Sequence, residues 1–543
     1  KNMKAAMKNA GKNHRWYISF ASATALPVAG PAAFSEVVNP MLAKQTQGLN
    51  QSCGIVLIDF AGSADGRTLI DNLILSNQPK PVAMPLRFKE GKLKIAQLTD
   101  VHWTPGSEKS EKGNPETILK VLDMEKPDVV ILTGDVVTSK PAKEGWKRIV
   151  EMMETAGVPF AVTMGNHDAE NWSEDSIYNY LSKSRLFIGK KGPEALSGTG
   201  NYILPVYASD GTDKINALLY CMDSNDYTAD AEKYGNYAWI DWGQIAWYRE
   251  QSRQYTTKNN GNPLPALAFF HIGVPEFKHL QNRPDMYGHL GEGGGFPKIN
   301  SGMFQSMIEM GDVMGVFVGH DHDNDYIAQE YGIALGYGRV SGHDAYGDLE
   351  RGARIIELFE DGRQFDTWIA TPSGKSLAYY YPSAITSDDE AVAPLPALSV
   401  SPTQQGVSYI YYEGKFKHTD HFQTRGEKKG EGVMKNFSIA DAPAKDHFGY
   451  EFKSYIQIPK TGVYNFYLYS DDGSLLYIDG KVVIDNNGSH SAARKGGKIA
   501  LEAGFHEVRL LYFEDYMGEK LKVKISSRWM EEQDIPAQML YLP

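Results

Sequence analysis

Three short hydrophobic runs between Lys94 and Asp168 constrain this chain more than any other feature, because each ends in a polar cluster able to hold a metal ion. They read Lys94-Ile-Ala-Gln-Leu-Thr-Asp100-Val-His102, Asp128-Val-Val-Ile-Leu-Thr-Gly134-Asp135 and Pro159-Phe-Ala-Val-Thr-Met-Gly165-Asn166-His167-Asp168. Their length and β-branched content predict buried parallel strands, and the helix-period segments between them, about Pro115 to Glu125 and Ala142 to Ala156, predict crossover helices. Parallel strands deliver their C-terminal ends to one sheet edge, where open α/β folds place their sites. That edge collects three Asp, two His and an Asn.

Asp100 and His102 lie two apart at a strand end, so the period of a strand is expected to aim both the same way. Gly134 lets the backbone turn closely, and Asp135 then projects where a carboxylate could bridge two cations. Further apolar runs occur at Ala217–Met222, Ala266–Phe270 and Val313–Val318, the last two ending in His271 and in Gly319-His320-Asp321-His322. Most of the fourteen histidines read as ordinary satisfied or surface side chains. Five of them at strand ends beside carboxylates predict a metal centre.

Asp-x-His, Gly-Asp, Gly-Asn-His-Asp, a lone His after a strand and Gly-His-x-His occur here in an order that resembles the calcineurin-like metallophosphoesterases, over roughly residues 90 to 370. Phe269-Phe-His271-Ile-Gly-Val-Pro-Glu276, Gly338-Arg339 and Arg351-Gly-Ala-Arg354 are most similar to the purple-acid-phosphatase-like branch. The resemblance implies an α/β fold, a four-layer αββα sandwich. It also implies one metal on Asp100, His102, Asp135 and His322, and a second sharing Asp135 and adding Asn166, His271 and His320. His167 would be the general acid or a transition-state donor, with Asp168 orienting its ring, a scaffold role being the plain alternative. Mixed imidazole and carboxylate ligands suit Mn, Fe or Zn, and two such ions about 3.5–4 Å apart clamp a phosphoryl group and activate water. Purple enzymes place a tyrosine three residues beyond the Gly-Asp aspartate; this chain has Thr138, and its first motif is Asp-x-His rather than Asp-x-Gly, so no tyrosinate–iron colour is expected.

A chain of 543 residues is too long for one core. The expected division is 1–82, a partial α/β barrel-like piece; 86–370, the metal-binding domain; 371–404, a Pro-, Ser- and Asp-bearing linker; and 405–543, an all-β sandwich. In the first piece Arg15–Ala23 and Gly54–Phe60 read as strands, and Ala33–Gln47 and Thr68–Ser76 as helices. Trp16-Tyr-Ile-Ser-Phe-Ala-Ser, Val38-Asn39-Pro40 and Gly54-Ile-Val-Leu-Ile-Asp59-Phe resemble the C-terminal end of bacterial phosphatidylinositol-specific phospholipase C. That family's catalytic histidines lie in the earlier half of its barrel, so no lyase chemistry is assigned here.

In the last piece, Gly449-Tyr-Glu-Phe, Ser470-Asp471-Asp472-Gly473-Ser, Tyr477-Ile-Asp479-Gly-Lys and Ala503-Gly-Phe-His506 resemble the β-sandwich domain first named from anthrax protective antigen. The resemblance implies a periplasmic, cell-surface or secreted placement and a glycan as partner. It makes Asp471 and Asp472, with Asn486, a candidate calcium site, a plain turn being the alternative.

The formal net charge of −12 argues against a nucleic-acid partner. It does not exclude an anionic substrate, because bound metals invert the local field. With no apolar run of spanning length, no transmembrane segment is expected. The start at Lys1 shows no charged head followed by an apolar core, and so gives no export address. Cys53 and Cys221 read as buried free thiols. Loop candidates for specificity are Asn171–Asn216, Tyr227–Trp247 and Arg283–Asn300, the last carrying Gly293-Gly-Gly295 as a mobile lip over the metals or a plain surface loop. Tyr202, Arg339, His343 and Tyr346 are candidate pocket residues. The expected function is metal-dependent hydrolysis of a phosphomonoester, on a small molecule or headgroup. The alternatives are a phosphodiesterase acting on a phospholipid or nucleotide diester, and a glycan-binding adhesin on an inactive phosphatase scaffold.

Overall fold

The computed structural model describes residues 84–543 and, before them, two strand backbones, β1 (Ile18–Ala21) and β2 (Ile55–Ile58), with a few single positions. β1 and β2 pair in parallel, Ile18 opposite Ile55. Most of the expected helices at 33–47 and 68–76, and Cys53, lie outside the described residues. The chain up to Val82 and the chain from Ala83 onward form two separate compact units.

In the second unit the three opening runs are strands β3 (Lys92–Leu98), β4 (Val129–Thr133) and β5 (Phe160–Thr163), paired in parallel. Helix α1 (Asn114–Glu125) joins the first two and α2 (Ala142–Ala156) the last two. α1 carries a proline in its first turn and buries Ile118, Val121 and Leu122. α2 buries Trp146, Ile149, Met152 and Met153 and stops at Gly157, whose φ of 69° suits a left-handed cap. Four antiparallel strands extend this sheet beyond β3: β12 (Ala353–Phe359), β13 (Phe365–Thr371), β14 (Gly374–Tyr381) and β15 (Ile385–Thr386). Residues 374–381 and 385–386, expected within a linker, are therefore sheet. The flanking Ser, Pro and Asp hid an apolar run whose Ala378, Tyr379 and Tyr380 are buried.

A second sheet of six strands has the order β10 (Ile327–Glu330), β11 (Ile333–Tyr337), β9 (Val313–Val318), β8 (Ala266–Phe269), β7 (Ile215–Cys221) and β6 (Tyr202–Tyr207). Alternation along β8 shows how the layers are glued: Leu267 and Phe269 join the core between the sheets, while Ala266 and Ala268 join a core roofed by Ile245 and Tyr248 of Trp242–Lys258 and by Met303 and Met307 of Met303–Met310. The layers run helix, sheet, sheet, helix, and the C-terminal ends of β3, β4, β5, β8 and β9 carry the predicted clusters.

From Val407 onward the chain is an all-β sandwich. One sheet is built on the strands Phe448–Ile458 and Gly504–Glu514, the other on the strands Gly462–Asp471, Ala493–Leu501 and Lys520–Ser527. It is docked on the β14–β15 end of the first sheet. Asn465 Nδ2 donates to Ser383 O at 2.9 Å, Lys498 pairs with Asp389 at 2.6 Å, and Arg528 reaches Glu390 at 2.9 Å and Asp366 at 3.0 Å. Leu395 exchanges backbone hydrogen bonds with Ala500 and Glu502. Among the described residues no helix is long and apolar enough to cross a membrane.

Candidate metal centre

β3 stops at Leu98, so Asp100 and His102 stand beyond the strand. Strand alternation does not bring them together, because both lie in the left-handed region, at φ 52° and 46°, as do Asp135 at 48° and His320 at 77°. Such backbone costs an L-residue roughly 1–2 kcal/mol, with Asp better tolerated than most, and must be held by its surroundings. Here the loops hold one another. Asp100 N, His102 N and Trp103 N donate to the carbonyls of Gly134, Asp135 and Val136, and Gly319 N donates to His271 O. His320 N donates to Asp100 Oδ2 at 3.0 Å, and His167 N to Asp135 Oδ1 at 2.9 Å. Gly134 is obligatory for a different reason: at φ 82° a Cβ there would also strike the His271 ring.

These ties gather two groups of donor atoms. Asp100, His102 and His322 each place one within 4.8 Å of the others, and so do Asp135, His271 and His320. Asp135 Oδ2 lies between the groups, 3.2 Å from His271 Nε2 and 3.7 Å from His102 Nε2. His322 Nε2 is 3.2 Å from Asp100 Oδ1. The residues fit a pair of cations, because buried atoms that could donate to a metal have no hydrogen-bond partner: Asp100 Oδ1, His102 Nε2, Asn166 Oδ1 and His271 Nε2. His271 Nδ1 donates to Thr133 O at 2.8 Å, which reserves Nε2 for the cavity. Asn166 gives its amide to Tyr227 Oη at 2.8 Å, which reserves its carbonyl in the same way.

Burial and the neighbouring charges set the protonation of these rings differently. Burial, only partly offset by Asp135, pushes His102 down to about 4, and burial with the nearby His271 pushes His320 down to about 3, so both present neutral rings. Burial also pushes His271 down, but the Asp135 carboxylate against it prevails and holds it at about 10, while Asp135 falls below the usual carboxylate range despite its own burial. A metal taking His271 Nε2 must therefore displace a proton throughout the neutral range. Affinity for that position is expected to rise about tenfold per pH unit between about pH 7 and 9, with one proton released per ion. Calorimetry in buffers of different ionisation enthalpy measures both; a pH-independent affinity would contradict the coupling.

His167 lies at the cavity wall, with its side chain 36% exposed. Its expected partner was Asp168, and here the structure corrects the sequence. Asp168 is fully buried and turned inward, accepting from Val136 N at 2.8 Å, Val137 N at 3.0 Å and Gly165 N at 2.9 Å. It braces the loops after β4 and β5 rather than the imidazole. Burial and the Asp135 charge raise it to about 7 against the Val137 and Gly165 donors that lower it. The residue on His167 Nδ1 is Glu170, at 2.7 Å, and Tyr227 Oη lies 3.5 Å from Nε2.

Of the pocket candidates only Tyr346 lines the cavity, its ring stacked on His322 with centroids 3.8 Å apart. Tyr202 is buried, its hydroxyl on the backbone of Val162. Arg339 is ion-paired with buried Asp325, and His343 bonds Thr117. Residues missed as individuals are Glu170, Tyr237, which meets His320 edge-on at 4.5 Å, and Glu292. A Tyr- and Trp-dense stretch was the only signal for Tyr227 and Tyr237, and it favours core as readily as a site. Thr138 Oγ1 lies 3.5 Å from His102 Nδ1. The cavity over the two groups holds about 500 Å³.

The family model for the calcineurin-like phosphoesterases matches residues 93–324, the stretch that contributes every residue of both groups. A plant protein named "Probable inactive purple acid phosphatase 29", from Arabidopsis thaliana, is 31% identical over 324 residues, 54% of this chain and 83% of that protein. This chain is a calcineurin-like phosphoesterase. The phosphoesterase is also 30% identical over 319 residues to "Phosphatase DCR2" of Saccharomyces cerevisiae, spanning 54% of that protein's length. A dimetal phosphatase from Danio rerio aligns over 52% of the phosphoesterase and 98% of its own chain, at 12% identity and a TM-score of 0.39. The PA14 domain model matches residues 403–539, the C-terminal sandwich of the phosphoesterase.

Proposed function

We propose that the chain hydrolyses phosphomonoesters at a dinuclear centre held by Asp100, His102, Asp135 and His322 on one side and Asp135, Asn166, His271 and His320 on the other. The observation that carries this is the set of buried donor atoms without partners, arranged in two groups about Asp135 Oδ2. Two Mn, Fe or Zn ions bound there would clamp the phosphoryl oxygens and lower the pKa of the attacking water. The remaining work falls to the chain. Asp135 is pinned through Oδ1 by His167 N, which leaves Oδ2 to face both groups. Tyr227 fixes the Asn166 amide, and Asp168 keeps the two loops that carry Asp135 and Asn166 in register. Glu170 fixes the His167 ring so that Nε2 is the atom offered to the cavity, where it passes a proton to the departing ester oxygen.

Three of the protein's relatives are named as inactive phosphatases, so activity is the first thing to measure. In metal-loaded protein, p-nitrophenyl phosphate is expected to be cleaved well ahead of bis-p-nitrophenyl phosphate. The reverse order would make the chain a diesterase, and cleavage of neither would leave a binding protein on a phosphatase scaffold.

The sandwich supports a second reading for its own end. Asp471, Asp472 and Glu514 gather three carboxylates within 4.8 Å, and Glu514 Oε1 and Asn486 Oδ1 are buried without partners. The reading is a calcium ion that presents a glycan, in a protein placed outside the cytoplasm. Adjacent backbone amides at His490, Ala492 and Asp515 already hold the two aspartates in place.

A further inference from the structure

Among the described residues the cavity over the metal groups is lined, besides the donor side chains, by His167, Tyr237, Glu292, Gly293–Gly295, Asp321 and Tyr346, and none of the described lining residues is a lysine or arginine. Arg351, next to Tyr346 in space, spends its guanidinium on the carbonyls of Gly342, Ala345, Tyr346, Gly347 and Leu349. Arg339 does not line the cavity and turns its two terminal nitrogens to Asp325 and Glu350 O. A substrate carrying phosphate charge beyond the one at the reaction centre therefore meets no counter-charge from the described residues of this cavity.

It meets a carboxylate instead. Glu292 Oε2 lies 3.0 Å from Tyr346 Oη, and Oε1 accepts from Asp323 N at 2.9 Å. The loop bearing it is not a free lip. Gly291 N and Glu292 N donate to Asn324 Oδ1, Asn324 Nδ2 donates to Glu292 O, and Gly295 N donates to Asp321 Oδ1. Asn324 is fully buried and lies just beyond the Gly-His-x-His run, so the loop is fastened to the metal-binding segment itself. Glu292 is thus held one tyrosine ring away from the His322 imidazole. The Tyr237 ring stands against His320 on the other group and stacks on Tyr227, with centroids 6.0 Å apart. A fixed carboxylate with aromatic side chains around the same cavity is the chemistry that recognises an organic cation.

Resting on the phosphomonoesterase reading, we propose that Glu292, with Tyr346 and Tyr237, forms a subsite for an ammonium group, and that the substrates are phosphate esters of amino alcohols. The ester oxygen faces His167 and the ammonium group, a few bonds further on, faces Glu292. Primary and quaternary ammonium esters share this chemistry.

The test is a set of kcat/KM values for the metal-loaded protein on O-phosphoethanolamine, phosphocholine and uncharged n-propyl phosphate, with glucose 6-phosphate and ATP as further arms. At least a tenfold preference for one ammonium ester over n-propyl phosphate is expected, and ATP is expected to be poorest. The two ammonium arms decide which source fits. In Glu292→Gln the ratio of ammonium to propyl ester should fall towards one, whatever happens to either rate alone. Independently of turnover, calorimetric competition against inorganic phosphate should show the ammonium esters binding more tightly than n-propyl phosphate in wild type but not in the variant. Equal wild-type values for all three esters, or an unchanged ratio in Glu292→Gln, would overturn the subsite. If p-nitrophenyl phosphate is still hydrolysed, the phosphomonoesterase reading survives that failure; if no ester is cleaved, that reading is the one that fails.

Discussion

Asp135→Asn is expected to leave about one metal ion per chain where wild type holds two, and to lower turnover on the order of a hundred- to a thousandfold, the scale of losing one preorganised electrostatic element. Oδ1 only accepts from His167 N, a bond an amide oxygen can keep, so the loop should survive. Oδ2 faces both groups, and an amide nitrogen in its place would turn donor hydrogens towards His271 Nε2 and the cations. Metal analysis of the purified variant, with a thermal shift on adding metal, measures the effect. A variant that retains two ions and full turnover would remove Asp135 from the centre of the site.

His167→Ala is expected to have an effect as large on rate and almost none on metal content. Removing a general acid typically costs 10²–10⁴-fold, and the loss should depend on the leaving group. An alkyl ester, whose alkoxide needs a proton, should suffer the full loss, whereas p-nitrophenyl phosphate should suffer much less. Glu170→Gln supplies the companion readout, because Glu170 acts only through the ring. The expected result is a smaller fall in kcat at unchanged metal content, a displaced pH profile and rescue by Glu170→Asp. An equal loss on both kinds of leaving group in His167→Ala would reduce His167 to scaffold.

The sequence made the parallel strands and both donor groups readable because the donors are tied to features with a period or a fixed place. Apolar runs of strand length end one or two residues before Asp100, Asp135, Asn166 and His271, and a strand end can be located without knowing any tertiary contact. Side chains in the turn beyond a strand end carry no such marker. Asp168 and Glu170 are both carboxylates near His167, and which of them meets the ring depends on the turn after Gly165, whose geometry three backbone donors to Asp168 decide. Asp100 and His102 were expected to converge by strand alternation and converge instead through left-handed backbone. β14 was invisible because its Tyr-rich run is bordered by residues typical of a linker. The Gly293–Gly295 loop looked free because its anchors, Asp321 and Asn324, are distant in the chain.

The docking of the sandwich on β14 and β15 has a consequence for reach. A module on a slack tether lets its enzyme sample a sphere, so that the gain from anchoring is diluted by the volume the tether allows. Here Lys498, Arg528, Asn465 and the Leu395 backbone fasten the two parts along a shared edge, which restricts that sampling. If the sandwich holds a glycan, as proposed, that shared edge sets the distance between the anchor and the mouth of the phosphoesterase. Anchoring would then work as a ruler: esters displayed at the matching distance from the anchor would meet a high local concentration of enzyme, and those nearer or farther would gain nothing from it.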